Sequence, residues 1–548
     1  MRRLARRAVV VALVMVGVGG SALFAAGVGG VVFLDKNHNG ALDSGETGVS
    51  GAVVSDGLNV VRTDDAGRFS LPDNNGARFV FLSTPNGMKP SAGWYRAVAE
   101  GGSYVFPLET RDESGPLVFA QLSDIHYAPD PEAFSRAFAD REMAFLPNGT
   151  LDGLVAEINP LAPDFVILTG DIIANAKGPE LDEVKSWFTT MDDGFVSRFT
   201  VPVYEAMGNH DEVRDPAVDK AVYEDHFGPT YYSFNVKGTH CVVLDLHQLQ
   251  GTSQIYSLSA AELDWLRRDL ALVGANAPIL VFCHEPTPDW AQTPENAALW
   301  DLLAGSNITA LLNGHWHTNF VLREEPFYEL TSGAVCGSWW EGPNPDGTGF
   351  GYRIYEMSRG RLESTWRTVG ANVVSFSSPA AAALTWTDRL VASVWGEAAS
   401  AAYCWDGGAN VTIDVASNGL WSTAAGNLNV ATLPSGYHTL TITFSMTSGG
   451  PIVGRQAFYV FVPGLSLSDF IDHPEVFQGK MVGTTALEVR AVMGADISAT
   501  DGTKTIIVAK FPLSVAKGDR VSVVGMYRAT SADPIKAFDL IFSVKLAK

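Results

Sequence analysis

Six apolar runs between Pro116 and His315, each ended by polar residues, constrain the fold of this chain more than any other feature. The runs are LVFAQLSD, DFVILTGD, VPVYEAMGN, HCVVLD, PILVFCHE and ITALLNGH. Helical patterns separate several of them, as at Leu181–Met191 and Ser259–Leu272. Buried strands that alternate with helices are typical of a layered α/β domain. Ligands in such domains gather at the carboxyl ends of strands, so we expect a site among the polar residues that end these runs.

Five of the strand ends, or the loops that follow them, present side chains that bind metals. Carboxylate, imidazole and amide ligands without a thiolate suit divalent zinc, manganese or iron. Seven ligands exceed the three or four that one catalytic ion needs, and they suit two ions that share a carboxylate. Two ions about 3.5–4 Å apart can activate a water and neutralise phosphoryl oxygens. The seven residues are Asp124, His126, Asp171, Asn209, His284, His315 and His317.

The order of the motifs DIH, GD, GNHDE, a lone strand-end His and GHWH resembles that of the calcineurin-like metallophosphoesterases. The resemblance covers residues 116–365 and implies a four-layer α/β/β/α sandwich that hydrolyses phosphate esters. It also implies two ligand sets around a bridging Asp171. These sets are Asp124, His126 and His317 for one metal, and Asn209, His284 and His315 for the other.

The same resemblance implies that His210 is a general acid or stabilises the transition state electrostatically. Ser/Thr protein phosphatases of the family carry an Asp three residues after the bridging one. That position is Ala174 here, so Asp211 is the nearest candidate partner for His210. His247, after the run VVLDL, joins Asn209 and His210 as a candidate substrate-binding residue; a histidine on the rim is the alternative. The motif set is closer to the family members that act on small phosphodiesters and phosphomonoesters.

A second metal motif lies near the start of the chain, in the segment DKNHNGALDSGE. It matches the twelve-residue calcium loop D-x-[DN]-x-[DN]-G-x5-E, with Gly40 where the loop must turn sharply. The flanking segments are strand-like, which predicts a structural calcium ion in a β-module; a plain turn is the alternative. The side-chain ligands would be Asp35, Asn37, Asn39, Asp43 and Glu46.

The first residues predict export. MRRLARR precedes AVVVALVMVGVGGSALFAAG, a basic start and an apolar run of the kind found in secretory signals. The run is also long enough to span a bilayer, so residues 1–27 are a signal peptide or an N-terminal membrane anchor. We expect an extracytoplasmic body that contacts the membrane only through this segment. A net charge of -22 repels polyanions and disfavours nucleic acid as a partner.

The texture of the sequence predicts a multidomain chain, α/β in the centre and all-β on both sides. Short alternating segments in residues 28–113 predict an antiparallel β-sandwich that contains the calcium loop. Residues 114–368 are the metallophosphoesterase-like domain, and residues 369–464 predict another β-sandwich. Residues 465–548 predict a small, OB-like β-barrel, with nearly equal numbers of basic and acidic residues.

The leading hypothesis is an exported dimetal hydrolase of phosphodiesters or phosphomonoesters from small or envelope-derived molecules, through hydroxide bridged between the metals. Two alternatives stay open. One is a secreted nuclease that uses the OB-like barrel. The other is a surface adhesion or scaffold protein whose core has lost activity.

Overall fold

The structure is a computed structural model. It describes residues 28–72, 76–98, 102–130, 132–133, 150–177, 179–323, 325–378, 389–428, 433, 436–460, 467–468, 481–493, 496–509, 515, 517–527 and 538–545. The predicted signal segment, residues 1–27, lies outside the described residues. In the described ranges, no helix is both long and apolar enough to cross a bilayer.

The N-terminal part consists of two small sheets that share one core. One sheet has the order β2-β1-β9-β7 with β5 paired to β1, and the other has the order β4-β3-β6-β8. Val32, Phe69 and Val80 are among the core residues. β1 and β9 run parallel, so the prediction of a wholly antiparallel sandwich is wrong at this pair. The strands are β1 (Val28–Leu34), β2 (Thr47–Gly48), β3 (Val53–Ser55), β4 (Val60–Arg62), β5 (Arg68–Leu71), β6 (Phe79–Ser83), β7 (Met88–Pro90), β8 (Tyr95–Ala97) and β9 (Ser103–Thr110).

The central part alternates strands and helices, as the sequence predicts. Its strands are β10 (Leu117–Leu122), β11 (Phe165–Thr169), β12 (Val203–Ala206), β13 (Tyr232–Val236), β14 (Thr239–Val243), β15 (His247–Gln250), β16 (Ser253–Tyr256), β17 (Ile279–Phe282), β18 (Ile308–Asn313), β19 (Phe320–Arg323), β20 (Tyr328–Thr331), β21 (Gly351–Ser358) and β22 (Arg361–Thr368). Its helices are α1 (Thr150–Leu161), α2 (Leu181–Gly194), α3 (Ala221–Phe227), α4 (Ala260–Leu270) and α5 (Pro294–Ala304).

Two mixed sheets form the body of this part, with the orders β12-β11-β10-β21-β22 and β13-β14-β17-β18-β20-β19. Phe119 stacks between Phe165 and Tyr355 of the first sheet, at ring distances of 4.8 and 4.6 Å, and its edge meets Phe282 of the second. The neighbouring residues of β10 and β11 point the other way and pack against α1 and α2. Each sheet is therefore buried on both faces, which explains the nearly continuous apolar runs.

Local signals in the sequence set the starts of α4 and α5. Ser259 caps α4 by accepting a hydrogen bond from the amide of Glu262, three residues later. Thr293 caps α5 in the same way, and Pro294 occupies the first helical position, where no amide hydrogen is needed. These caps place the predicted helix at Ser259–Leu272 within two residues of its observed bounds.

The C-terminal part is all β. A seven-stranded sheet with the order β23-β24-β27-β26-β25-β28-β29 precedes a closed barrel with the order β30-β31-β32-β34-β33. Its strands are β23 (Ser375–Ser378), β24 (Arg389–Trp395), β25 (Ala398–Trp405), β26 (Val411–Ser417), β27 (Trp421–Asn427), β28 (Gly436–Met446), β29 (Ile452–Val460), β30 (Met481–Met493), β31 (Asp496–Thr500), β32 (Thr505–Ala509), β33 (Arg520–Tyr527) and β34 (Phe538–Lys545).

Candidate metal centre

The seven predicted ligands meet where the carboxyl ends of both central sheets come together. β10, β11 and β12 are adjacent and parallel, and Asp124, Asp171 and Asn209 follow them in turn. In the second sheet β17 and β18 are also adjacent and parallel, and they end just before His284 and His315. Parallel neighbours end at the same edge, so the topology brings residues far apart in sequence into one site.

The first group of donor atoms lies on the side of β10. The Nε2 atoms of His126 and His317 are 3.1 Å apart. His317 Nε2 is 3.4 Å from Asp124 Oδ1, and His126 Nε2 is 3.5 Å from Asp171 Oδ2. All four side chains are buried.

The second group lies on the side of β17. His284 Nε2 is 3.2 Å from Asn209 Oδ1, 3.2 Å from His315 Nδ1 and 3.1 Å from Asp171 Oδ2. Asp171 Oδ2 belongs to both groups, which places this carboxylate between them. The structure thus brings all seven residues together, in the two sets that the family resemblance implied.

The geometry of both groups fits divalent metals. Ligands about 2.0–2.2 Å from an ion in tetrahedral array stand roughly 3.3–3.6 Å from one another. The observed separations of 3.1–3.5 Å lie within about 0.2 Å of that spacing. Two carboxylates, four imidazoles and an amide form a donor set of intermediate hardness, which suits zinc, manganese or iron.

The electrostatics favour cations as well. Burial raises the pKa of Asp124, but His317 and His284 outweigh it and bring the pKa to about 2. Burial also opposes ionisation of Asp171, yet His284 and His210 hold its pKa well below the ordinary value. Both carboxylates are therefore anionic at neutral pH, and buried anions need a compensating positive charge.

Backbone conformation is unusual at the ligands. Asp124, His126, Asp171, His315 and His317 all have φ between 47° and 67°, the left-handed region. Non-glycine residues adopt this region at a cost of about 1–3 kcal/mol, and such residues cluster at functional sites. The tight turns aim consecutive side chains into one small volume.

Glycines make this crowding possible. A Cβ on Gly208 would lie 2.1 Å from the backbone N of Asp171, and one on Gly314 would lie 2.5 Å from Asp124 Oδ2. Gly170 meets the ring of His284 in the same way. Each glycine immediately precedes a ligand, so the G-D, G-N-H and G-H motifs reflect close approach of segments.

The ligand imidazoles are oriented by backbone carbonyls. His284 Nδ1 donates to Thr169 O at 2.7 Å, and His317 Nδ1 donates to Gly337 O at 2.8 Å. Such hydrogen bonds fix the tautomer that leaves the other nitrogen for a metal.

Comparison with known proteins agrees with this geometry. Residues 117–319 match the family model for calcineurin-like phosphoesterases, and residues 36–100 match the model for the N terminal of calcineurin-like phosphoesterase. The chain contains a calcineurin-like phosphoesterase domain. The first match covers β10–β18 of the two central sheets, and the second covers β2–β8 of the N-terminal part.

Two curated relatives are bacterial. A probable cyclic nucleotide phosphodiesterase of Rhodococcus erythropolis is 29% identical over 203 residues, which are 36% of this chain and 63% of that protein. A cAMP/cGMP dual specificity phosphodiesterase of Mycobacterium tuberculosis is 28% identical over 178 residues, 30% of this chain and 53% of that protein. The chain therefore spans just over half to almost two thirds of the length of these relatives.

Among solved structures, a dimetal phosphatase from Danio rerio is similar with a TM-score of 0.35 and 16% identity. The match covers 46% of this chain and 97% of the phosphatase chain.

His210 lies beside the first ligand group of the phosphoesterase domain. Its backbone amide donates to Asp171 Oδ1 at 2.7 Å, and its ring meets that of His126 edge-on at 5.0 Å. Burial lowers the pKa of His210 to about 4, and Asp171 offsets only part of this effect. The imidazole is therefore neutral at pH 7 and can donate or accept one hydrogen bond.

Asp211 does not have the place that the sequence suggested. Its carboxylate accepts hydrogen bonds from the amides of Ile172, Ile173 and Gly208, at 2.9–3.2 Å. The side chain is fully buried and ties the loop after β11 to the loop after β12. Asp211 thus fixes the loops of Asp171 and Asn209, instead of pairing with the ring of His210.

His247 is also placed differently from the prediction. It is completely buried, and its ring lies between Asp245 Oδ1 at 3.1 Å and Glu285 Oε1 at 2.7 Å. Lys220 completes this network through Asp245 Oδ2 at 2.6 Å. A side chain without exposed surface cannot line a substrate pocket. His247 instead contacts Glu285 and so supports the segment that contains His284.

Sequence reasoning missed the hairpin of β15 and β16, which passes beside the second ligand group. The ring of Tyr256 lies 5.7 Å from that of His315, and Gln254 Nε2 donates to Asn209 O at 3.1 Å. One of the tryptophans near the last motif, Trp339, contacts the site, with its ring 4.2 Å from His126. The hairpin has only a weak signal in the sequence because its segment, HQLQGTSQIY, is mostly polar.

The predicted calcium loop closes on itself between β1 and β2. Asp35 accepts hydrogen bonds from the amides of Asn39 and Gly40, at 3.2 and 2.9 Å. Asp43 Oδ2 accepts from the side chains of Asn37 and Asn39, and Glu46 accepts from the amide of Asp43. Hydrogen bonds within the loop thus involve all five predicted side chains.

Proposed function

We propose that the protein is an exported dimetal phosphoesterase that hydrolyses phosphodiesters or phosphomonoesters of small or envelope-derived molecules. One observation supports this most strongly. Asp171 Oδ2 lies 3.1–3.5 Å from a histidine donor of each ligand group, as a bridging carboxylate should. Two divalent ions, when bound there, supply an activated water and neutralise phosphoryl oxygens.

The residues of the chain perform the remaining tasks. Asp171 holds the two ligand groups together, and its other oxygen fixes the backbone of His210. The ring of His210, beside His126, is placed to hydrogen-bond an oxygen of the ester as charge develops on it. Asp211 holds the loop after β11 and the loop after β12 together while this charge develops.

The relatives guide the choice of substrates for the test. Two of them carry the names of cyclic nucleotide phosphodiesterases, and another is named as a Ser/Thr protein phosphatase. We therefore propose assays with bis-p-nitrophenyl phosphate, p-nitrophenyl phosphate and 3′,5′-cyclic AMP, in Mn²⁺, Zn²⁺ and Fe²⁺, with bound metal measured. Metal-dependent hydrolysis of at least one ester is expected.

Matched variants separate the site from general effects. Asp171→Asn and His210→Ala should each lower kcat/KM by about 100-fold or more, from loss of a ligand or of transition-state support. Asp182→Asn is the control, since the Asp182 side chain is 99% exposed and its ion pair is with Lys185. Full activity in Asp171→Asn, or no turnover with two metals bound, would contradict the proposal. Degradation of single-stranded DNA or RNA would instead support the nuclease alternative, and silent variants would support a scaffold.

The proposal includes export and the finer architecture. The basic and apolar segment of residues 1–27 supports export, and the N-terminal sequence of the mature protein, obtained by mass spectrometry, tests cleavage. The two facing sheets with their helices support a four-layer sandwich. The barrel order β30-β31-β32-β34-β33 supports an OB-like module.

We also propose that the loop at Asp35–Glu46 binds a structural calcium ion. The match of the motif and the hydrogen bonds that close the loop support this. Calcium should then raise the melting temperature of the protein, and Asp43→Ala should abolish the increase.

A further inference from the structure

An arginine that has no acidic partner among the described residues lies next to the metal centre. Arg214 follows the GNHDE motif and has a left-handed backbone, with φ of 60°. Its Nη2 donates to Gln254 Oε1 at 2.6 Å and lies 3.4 Å from the carbonyl oxygen of Asn209. Gln254 donates to that same carbonyl at 3.1 Å. The guanidinium is thus held against the backbone of a residue whose side chain belongs to the second ligand group.

The hairpin of β15 and β16 sets this position. Side chains alternate along a strand, so Gln254 and Tyr256 share one face of β16. Tyr256 on that face lies beside His315, and Gln254 holds Arg214 beside Asn209. This face of the hairpin therefore flanks the second ligand group, and its Gln254 binds Arg214 there.

The charge of Arg214 is not matched within the described part of the chain, where no carboxylate oxygen lies within 4 Å of it. The nearest acidic neighbour in sequence, Glu212, instead accepts from Gln254 Nε2 at 2.6 Å. Three other half-buried arginines have a carboxylate partner at 2.6–3.1 Å; they are Arg111 with Asp164, Arg323 with Glu329 and Arg367 with Glu157. Within the described residues Arg96 and Arg353 have no such partner, and they donate to uncharged oxygens. Arg214 differs from Arg96 and Arg353 because its hydrogen bonds hold it to Gln254 and Asn209, at the second ligand group.

Arg214 also has spare hydrogen-bonding capacity. A guanidinium has five N–H donors, and both hydrogen bonds of Arg214 to the described residues come from Nη2. Its Nε lies buried with no acceptor among those residues. A partly desolvated, unpaired guanidinium favours an anion, and its planar fork matches carboxylate and phosphate oxygens.

We propose that Arg214 binds an anionic oxygen of the substrate in addition to those that the two metal ions bind. It would then select esters that carry negative charge beyond that of a simple phosphodiester. The extra charge is either the second charge of a phosphomonoester or a further phosphate or carboxylate group. This inference rests on the proposed phosphoesterase function.

The test compares substrates that share the p-nitrophenolate leaving group and differ in charge. One pair is p-nitrophenyl phosphate and bis-p-nitrophenyl phosphate. The other is the p-nitrophenyl ester of thymidine 5′-phosphate with and without a 3′-phosphate, which separates a second phosphate from the charge of a monoester. Arg214→Gln should lower kcat/KM about 10- to 100-fold for the more charged member of at least one pair, and less than about threefold for the other member. Arg214→Lys should restore part of the loss.

Binding of inorganic phosphate to the metal-loaded protein, measured by calorimetry, gives a readout that needs no turnover. Arg214→Gln should weaken it about 10-fold or more while two metals stay bound. Arg359→Gln is the matched control, because Arg359 is exposed and also left-handed, with φ of 52°. Equal loss for all substrates, loss of bound metal, or no change would overturn the inference. Wild-type protein that hydrolyses none of the esters but binds phosphate through Arg214 would overturn the proposed function, and with it the selection of esters, but not the binding of an anion by Arg214.

Discussion

Gly208 offers the sharpest single test of how the metal centre is built. A Cβ at this position would lie 2.1 Å from the backbone N of Asp171 and 2.3 Å from its Oδ1. Ordinary contacts to a Cβ start near 3.4 Å, so one loop must move by more than an ångström. Both obstacles belong to the residue that the two ligand groups share, so Gly208→Ala should displace the centre directly.

The size of the effect follows from the geometry. A misplacement of about 1 Å at a reacting centre can cost about 100-fold in rate, or roughly 2.7 kcal/mol of transition-state stabilisation. We expect Gly208→Ala to lower kcat/KM for bis-p-nitrophenyl phosphate by at least this factor and to reduce bound metal below two per chain. Overpacking should also lower the free energy of unfolding by about 1–3 kcal/mol.

The matched control is Gly274→Ala. A Cβ on Gly274 meets no atom within 4 Å, and its φ is not left-handed. This variant should keep full activity and metal content. If Gly208→Ala kept two metals and more than half of the activity, the packing of the two loops would not be what positions Asp171, and the reasoning would be refuted.

Three further predictions concern protons and support. Burial opposes protonation of His284, but Asp171 raises the pKa of this imidazole well above its ordinary value. Burial also opposes protonation of His317, but Cys336 and Asp124 raise its pKa well above the ordinary value. Metal binding should therefore release about two protons at pH 7 and strengthen as the pH rises, which calorimetry in buffers of different ionisation enthalpy measures; no release would contradict it. Burial lowers the pKa of His247, but Glu285 and Asp245 outweigh it and raise it to about 10. His247→Gln should therefore lower the free energy of unfolding by about 3–5 kcal/mol below pH 6.5, and this loss should shrink as the pH rises toward 10. Urea unfolding in the presence of a chelator measures the loss. A loss that does not depend on pH would argue against this role of the His247 charge. Asp211→Asn should lower the free energy of unfolding by about 1–3 kcal/mol because an NH₂ group would face backbone amides. An unchanged urea midpoint would refute the view that Asp211 holds the two loops together.

The sequence alone predicted which side chains the fold brings together at the candidate metal centre, because the relevant signals are local. Each apolar run ends where its strand ends, and a polar residue just beyond it can only lie at the edge of the sheet. The seven ligands needed no knowledge of distant partners. The caps at Ser259 and Thr293 are local in the same sense.

The roles of His247 and Asp211 could not be predicted because their partners come from other segments. The local sequence predicts His247 to be a loop residue, because it does not show that Glu285, 38 positions later, contacts it. Asp211 reads as a partner of the adjacent His210, whereas its carboxylate turns toward amides 38 and 39 positions earlier. The parallel pairing of β1 with β9 is likewise a long-range contact that alternation cannot show.

The most direct test of the account is a crystal structure of the Mn²⁺-loaded protein with anomalous diffraction. We predict two anomalous peaks about 3.5–4 Å apart, one on each side of Asp171. His126 and His317 should contact the first peak, and Asn209, His284 and His315 the second. A single peak, or two peaks that do not share Asp171, would contradict the central claim.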